Sequence, residues 1–64
     1  MEFKEKILRI RAKLDLSQEG LAKELGVAFV TLNRWENGRT MPTKKTLLQI
    51  EEYCASKNIN FNEV

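Results

Sequence analysis

The 64-residue sequence holds no histidine, one cysteine, one proline and three glycines, and these scarcities remove whole classes of function. Without histidine the chain lacks the commonest general base. Cys54, being alone, forms no internal disulfide, and with no histidine beside it too few ligand types remain for a zinc site. No glycine-rich phosphate loop and no pair of catalytic carboxylates is present, so neither an enzyme nor a metal or other cofactor is expected. No apolar run approaches the roughly 18 residues of a membrane span. The charged N-terminal stretch EFKEKILRIRAK is not a signal peptide, and the expected location is the cytoplasm.

What is present reads as an ordinary soluble domain. Apolar residues make up 42% of the chain and charged residues 31%, which argues against disorder. No linker, repeat or low-complexity segment divides it, so residues 1–64 read as one domain, near the lower size limit for a core without staples. The net charge of +2 predicts little by itself, but its placement is uneven. Lys4, Lys6, Arg9, Arg11 and Lys13 outnumber Glu2 and Glu5, and Arg39, Lys44 and Lys45 form a second basic cluster. A nucleic-acid reader needs basic groups where phosphates pass, not a basic chain throughout. Solvated helix faces and loop charges are the plainer account of any one of these lysines.

Apolar spacing gives an all-helical plan. Phe3, Ile7, Ile10 and Leu14 follow a 4-3-4 pattern, predicting helix 1 over about 2–14. Ser17 can cap helix 2, about 18–25, whose apolar face is Leu21, Ala22 and Leu25. Ala22 is small enough to let a crossing helix approach, and Gly26 suits a left-handed C-terminal cap. Helix 3, about 28–37, carries Val27, Leu32 and Trp35 as its inner stripe, and Asn37-Gly38 ends it. Pro42 stops any continuation. Thr43 can cap helix 4, about 43–56, where Leu47, Ile50 and Cys54 repeat, with Leu48 and Tyr53 at the margins. Cys54 then reads as a small core residue rather than a reactive thiol. Asn60 and Glu63 form a capping-box pattern that opens a fifth helix at about 60–64. That helix is either a single turn pinning Phe61 and Val64 to the core, or the start of a longer protein. The pair of short helices around Gly26 is a helix-turn-helix, and DNA binding is the first hypothesis.

From about Ile7 to Val64 the sequence resembles the Cro and phage-repressor (Xre) class of helix-turn-helix domains. The residues that carry the resemblance are Ser17-Gln18-Glu19, Leu21-Ala22, Leu25-Gly26-Val27, Thr31-Leu32, the exit Arg34-Trp35-Glu36-Asn37-Gly38-Arg39, Pro42, Leu47-Leu48 and Ile59-Asn60-Phe61. The resemblance implies an all-α, lambda-repressor-like bundle of about five short helices, with helix 2 across the DNA backbone and helix 3 in the major groove. It implies a sequence-specific regulator of transcription, bound to double-stranded DNA as a homodimer that pairs near the end of helix 4 and after Asn58.

Carried onto this chain, the resemblance makes Phe29, Val30 and Arg34 the base readers, with Ala28 and Asn33 nearby. Arg34 could donate two hydrogen bonds to a guanine, whereas Phe29 and Val30 could pack only on thymine methyl groups. Gln18 resembles the residue that clamps a phosphate at the start of helix 2, and Thr31, Asn37, Arg39 and Lys44 are further phosphate candidates. Arg11 and Glu36 stand where the class often places a partly buried ion pair. Each assignment has a plainer counterpart. Arg34 could be a solvent-exposed helical residue, Asn37 a helix terminus, and Trp35 reads as core. Exposed Phe29 and Val30 would equally suit a protein partner, making a protein-interaction module the main alternative, beside a DNA-targeting domain of a longer protein. The chain also departs from the class. Gly20 stands where a Glu would complete a capping box with Ser17, Ala28 where Ser or Thr often caps helix 3, and the apolar Phe29-Val30 pair replaces polar readers.

Overall fold

A computed structural model describes residues 2–59 and contains four α-helices among them: α1 (Phe3–Leu14), α2 (Gln18–Leu25), α3 (Phe29–Glu36) and α4 (Lys44–Ser56). About five helices were expected. The start of the fifth, with Phe61 and Val64, lies outside the described residues.

Local chemistry sets the helix starts. Ser17 accepts the Gly20 N–H on its Oγ at 3.0 Å, and Thr43 accepts the Thr46 N–H at 3.3 Å. Each satisfies a donor that the first turn leaves without an intrahelical partner. Ala28 and Thr43 stand at the N-cap positions expected of them, and Glu2, the expected first residue of helix 1, is the N-cap of α1. Ala28 gives α3 no side-chain cap. The absence of a side chain at Gly20 also has a steric reason, since a Cβ there would lie 3.3 Å from both Leu16 Cδ2 and Ser17 Oγ.

All four helices end the same way. One residue turns left-handed, and the next N–H reaches back five positions: Leu16 to the Arg11 carbonyl, Val27 to Ala22, Arg39 to Arg34 and Ile59 to Cys54. The left-handed residues are Asp15, Gly26, Gly38 and Asn58, of which two lack the freedom of glycine. At the end of α3 the positive φ falls on Gly38 alone, while Asn37 stays at φ −89°.

α3 packs on both α1 and α2, and α4 closes against α2. The core is Phe3, Ile7, Ile10, Leu21, Ala22, Leu32, Trp35, Ile50, Cys54 and Ile59. Trp35 is buried and meets the Phe3 ring edge to face at 5.6 Å between centroids, so it is core and not a stacking platform. Cys54 is buried, and desolvation followed by the charge of Glu51 pushes its thiol above the ordinary range, against a smaller lowering by Lys6. Ile59 is buried in the core, and its backbone N–H donates to the Cys54 carbonyl at 2.8 Å. Among the described residues no helix is long and apolar enough to cross a membrane, and no group of three metal-ligating side chains converges.

Candidate nucleic-acid interface

The turn at Gly26 (φ 71°) leaves α3 with its inner stripe, Leu32 and Trp35, buried and its outer face in solvent. On that outer face Phe29 is 48% exposed and Val30 52% exposed, and both project from the first turn of α3. Arg34 lies one turn further along and is also exposed. Ala28, the N-cap of α3, is exposed as well. Leu8, Met41 and Leu48 are also exposed, but Phe29 and Val30 are adjacent and share the start of one helix.

The polar members of the site are organised differently. Gln18, Asn33 and Asn37, each a separate candidate contact by sequence, form one chain of hydrogen bonds. Gln18 Nε2 donates to Glu36 Oε1 at 3.0 Å, Asn33 Nδ2 donates to Gln18 Oε1 at 3.3 Å, and Asn37 Nδ2 donates to Asn33 Oδ1 at 3.1 Å. The chain is anchored by an ion pair. Arg11 Nη1 lies 2.7 Å from Glu36 Oε1 and 3.0 Å from Oε2, and the Glu36 side chain is only 7% exposed. Arg11 Nε also donates to the Leu16 carbonyl at 3.1 Å, tying the α1–α2 link to the same cluster. Glu36 thus joins α3 to α1 through Arg11 and to α2 through Gln18.

The cations fall outside this chain. Arg34, Arg39 and Lys44 are exposed and make no ion pair among the described residues. Arg39 follows the left-handed Gly38, and Lys44 opens α4, so the two sit on either side of the loop that leaves α3. Thr31 is half-buried and lines an open groove of about 390 Å³ between α3 and that loop, with Val27, Trp35, Met41 and Pro42 among its other walls. Met41, 67% exposed beside this groove, carried no signal in the sequence beyond its place in a loop. The hydrogen-bonded amide chain was equally hidden, because its members are 4 to 18 residues apart and only the fold brings them together.

Comparison with known proteins gives the family. Residues 7–58 match the family model described as Helix-turn-helix. The chain belongs to the Xre/lambda-repressor-like helix-turn-helix family. A curated relative, the HTH-type transcriptional activator BcrR of Enterococcus faecalis, is 36% identical over 53 residues, which is 83% of this chain and 26% of the relative. The chain therefore spans about a quarter of that relative's length. No solved structure matches it. Family and relative together support DNA binding and regulation of transcription.

Proposed function

We propose that this domain binds double-stranded DNA sequence-specifically, with α3 in the major groove and α2 across the backbone, and that it regulates transcription from the cytoplasm as one half of a symmetric pair. The observation that carries the reading is the outer face of α3. Phe29, Val30 and Arg34 stand in solvent at its first two turns, while Arg39 and Lys44 flank its exit without ion-pair partners among the described residues. Arg34 is assigned to a guanine edge and Phe29 and Val30 to thymine methyl groups, with Ala28 and Asn33 beside them. Gln18, Thr31, Asn37, Arg39 and Lys44 are assigned to phosphates, which position the domain without reading sequence.

One such domain covers only about 600–1,000 Å² on DNA, so useful specificity calls for two half-sites about 34 Å apart. The pairing surface is assigned to the end of α4 and the residues beyond Asn58. In a longer protein the domain would serve as the DNA-targeting part.

The second reading is a protein-interaction module, and it rests on the exposure of Phe29 and Val30. Selection of bound sites from a random duplex library, followed by a salt titration, separates the two. The DNA reading expects enrichment of a two-fold symmetric site and affinity falling on the order of 10³ between 50 and 200 mM salt if about six phosphates are engaged. Absence of binding to any duplex at low salt would overturn it and leave the protein partner.

A further inference from the structure

We propose that Glu36 is a positioning residue that sets the donor direction of the Gln18, Asn33 and Asn37 side-chain amides, and through them the phosphate contacts of the domain. The proposal rests on the DNA-binding reading above.

The argument starts from what each group can do. An ionised carboxylate accepts hydrogen bonds and donates none, whereas a side-chain amide has a donating end and an accepting end. Glu36, paired with Arg11 and 7% exposed, offers Oε1 to Gln18 at 3.0 Å. Gln18 must therefore turn its NH2 group toward Glu36 and its carbonyl away. That carbonyl faces Asn33 at 3.3 Å and needs a donor, so Asn33 presents its NH2. The Asn33 carbonyl then remains to accept from the Asn37 NH2 at 3.1 Å. One acceptor-only group fixes three amides in series, hydrogen-bonding only the first of them.

The consequence concerns the surface. Each NH2 group in the series uses one N–H within it and keeps a second. Phosphate oxygens only accept, so Gln18 and Asn37 can each supply a donor to the DNA backbone in this polarity. Reversing the series would put carbonyl oxygens where the amide nitrogens now stand, and a phosphate there would be repelled. Glu36 thus earns its place near DNA although it carries the same charge sign as the ligand. Arg11 offsets that charge on one side while the amides carry its hydrogen-bonding polarity to the other.

The test uses the full chain, labelled with nitrogen-15, and the Glu36→Gln variant. In the DNA-free protein, the variant is expected to shift the side-chain NH2 signals of all three amides, including Asn37, whose only bond in the series is to Asn33. On the selected duplex, removing a negative charge should by itself tighten binding. The proposal expects the reverse: affinity reduced roughly tenfold, the scale of one charged hydrogen bond, with the salt slope no shallower, because an uncharged amide releases no counterion. A folded Glu36→Gln protein with unmoved Asn33 and Asn37 amides, or with DNA affinity unchanged or improved, overturns it. Should that variant not fold, Asn33→Ala decides. Polarity inherited from Glu36 requires the Gln18 NH2, still bonded to Glu36, to shift less than the Asn37 NH2, which has lost its acceptor, and the opposite order overturns the proposal. If the wild-type chain binds no duplex, the DNA reading fails while the spectra of the free protein still decide what orients the amides.

Discussion

Arg11 reaches Glu36 with Nη1 at 2.7 Å while its Nε holds the Leu16 carbonyl at 3.1 Å, so one guanidinium joins α1, the α1–α2 link and the last turn of α3. The pair is asymmetric, with Arg11 28% exposed and Glu36 7% exposed. The acid therefore depends on the base more than the base on the acid. Removing one member of a buried pair strands the other and costs about 3–5 kcal/mol, and the solvent at Arg11 lowers the expected cost here to about 2–3 kcal/mol. Arg11→Met should show that loss in urea denaturation. The double replacement Arg11→Met/Glu36→Leu should be more stable than the single one, because no buried carboxylate is left without a cation. A single variant within about 0.5 kcal/mol of wild type would show that Gln18 and solvent satisfy Glu36 on their own.

The helix ends make a second prediction. Asp15 at φ 55° and Asn58 at φ 61° occupy a region that costs a side-chain-bearing residue on the order of 1 kcal/mol. Glycine removes that strain but adds freedom to the unfolded chain, so the net gain is smaller than the strain itself. Asp15 also places a negative charge at the negative end of α1. Asp15→Gly should therefore stabilise by about 0.5–1 kcal/mol, raising the melting temperature by about 2–8 °C in a domain of this size. Asn58→Gly should give less, since asparagine tolerates this conformation better than most residues. Equal gains at the two sites would remove the helix-end charge from the explanation.

These two residues also mark the limit of what the sequence discloses. Gly26 and Gly38 are legible as left-handed positions because glycine there has few other uses, and Ser17 and Thr43 are legible as caps because each stands just before an apolar period. Asp15 and Asn58 do the same work as the two glycines with residues that occur anywhere on a surface. The buried stripe of each helix follows from spacing, whereas Ile59 enters the core by a backbone turn that no periodicity records. At the site, the exposure of Phe29 and Val30 could be read from the phase of α3. The bonds among Gln18, Asn33, Asn37 and Glu36 could not, since they depend on the crossing of α2 and α3 and on which end of each amide faces its neighbour.

The α2–α4 contact carries a pH dependence. Tyr53 donates its O–H to Glu24 Oε1 at 3.1 Å, with the Lys57 ammonium 5.8 Å from the ring centre. Desolvation first, then the hydrogen bond to Glu24 and its charge, push the phenol up from 10.0 to about 12. A value raised by folding means that the folded state holds the proton more tightly than the unfolded one. The associated stability is fully present below pH 10 and is lost as pH rises through about 12. Tyr53 is the only tyrosine, so tyrosinate absorbance reports it without ambiguity. Glu24→Gln should move its midpoint back toward 10, because both the carboxylate charge and the charged acceptor are gone, leaving the desolvation part of the shift. An unchanged midpoint would make desolvation the whole cause.

The apolar reading face can be tested atom by atom once a site has been selected. Thymine differs from uracil only by the methyl group that Phe29 and Val30 are assigned to cover, and both bases present the same hydrogen-bonding edge. Burying one methyl-sized group is worth about 0.8 kcal/mol, so each contacted thymine replaced by uracil should weaken binding by about fourfold. Phe29→Ala should weaken binding to the thymine site and, where Phe29 makes the contact, abolish the difference between thymine and uracil. That coupling between a protein change and a base change is what a double-mutant cycle isolates. Arg34→Ala should instead cost about 1–3 kcal/mol on either duplex and relax the preference at one guanine. Phe29, Val30 and Arg34 stand on adjacent turns of one short helix, so the two effects should fall on neighbouring base pairs of the same half-site. Equal affinity for thymine and uracil at every position would leave Phe29 and Val30 with no DNA atom to explain their exposure, and the protein-partner reading would then account for them better.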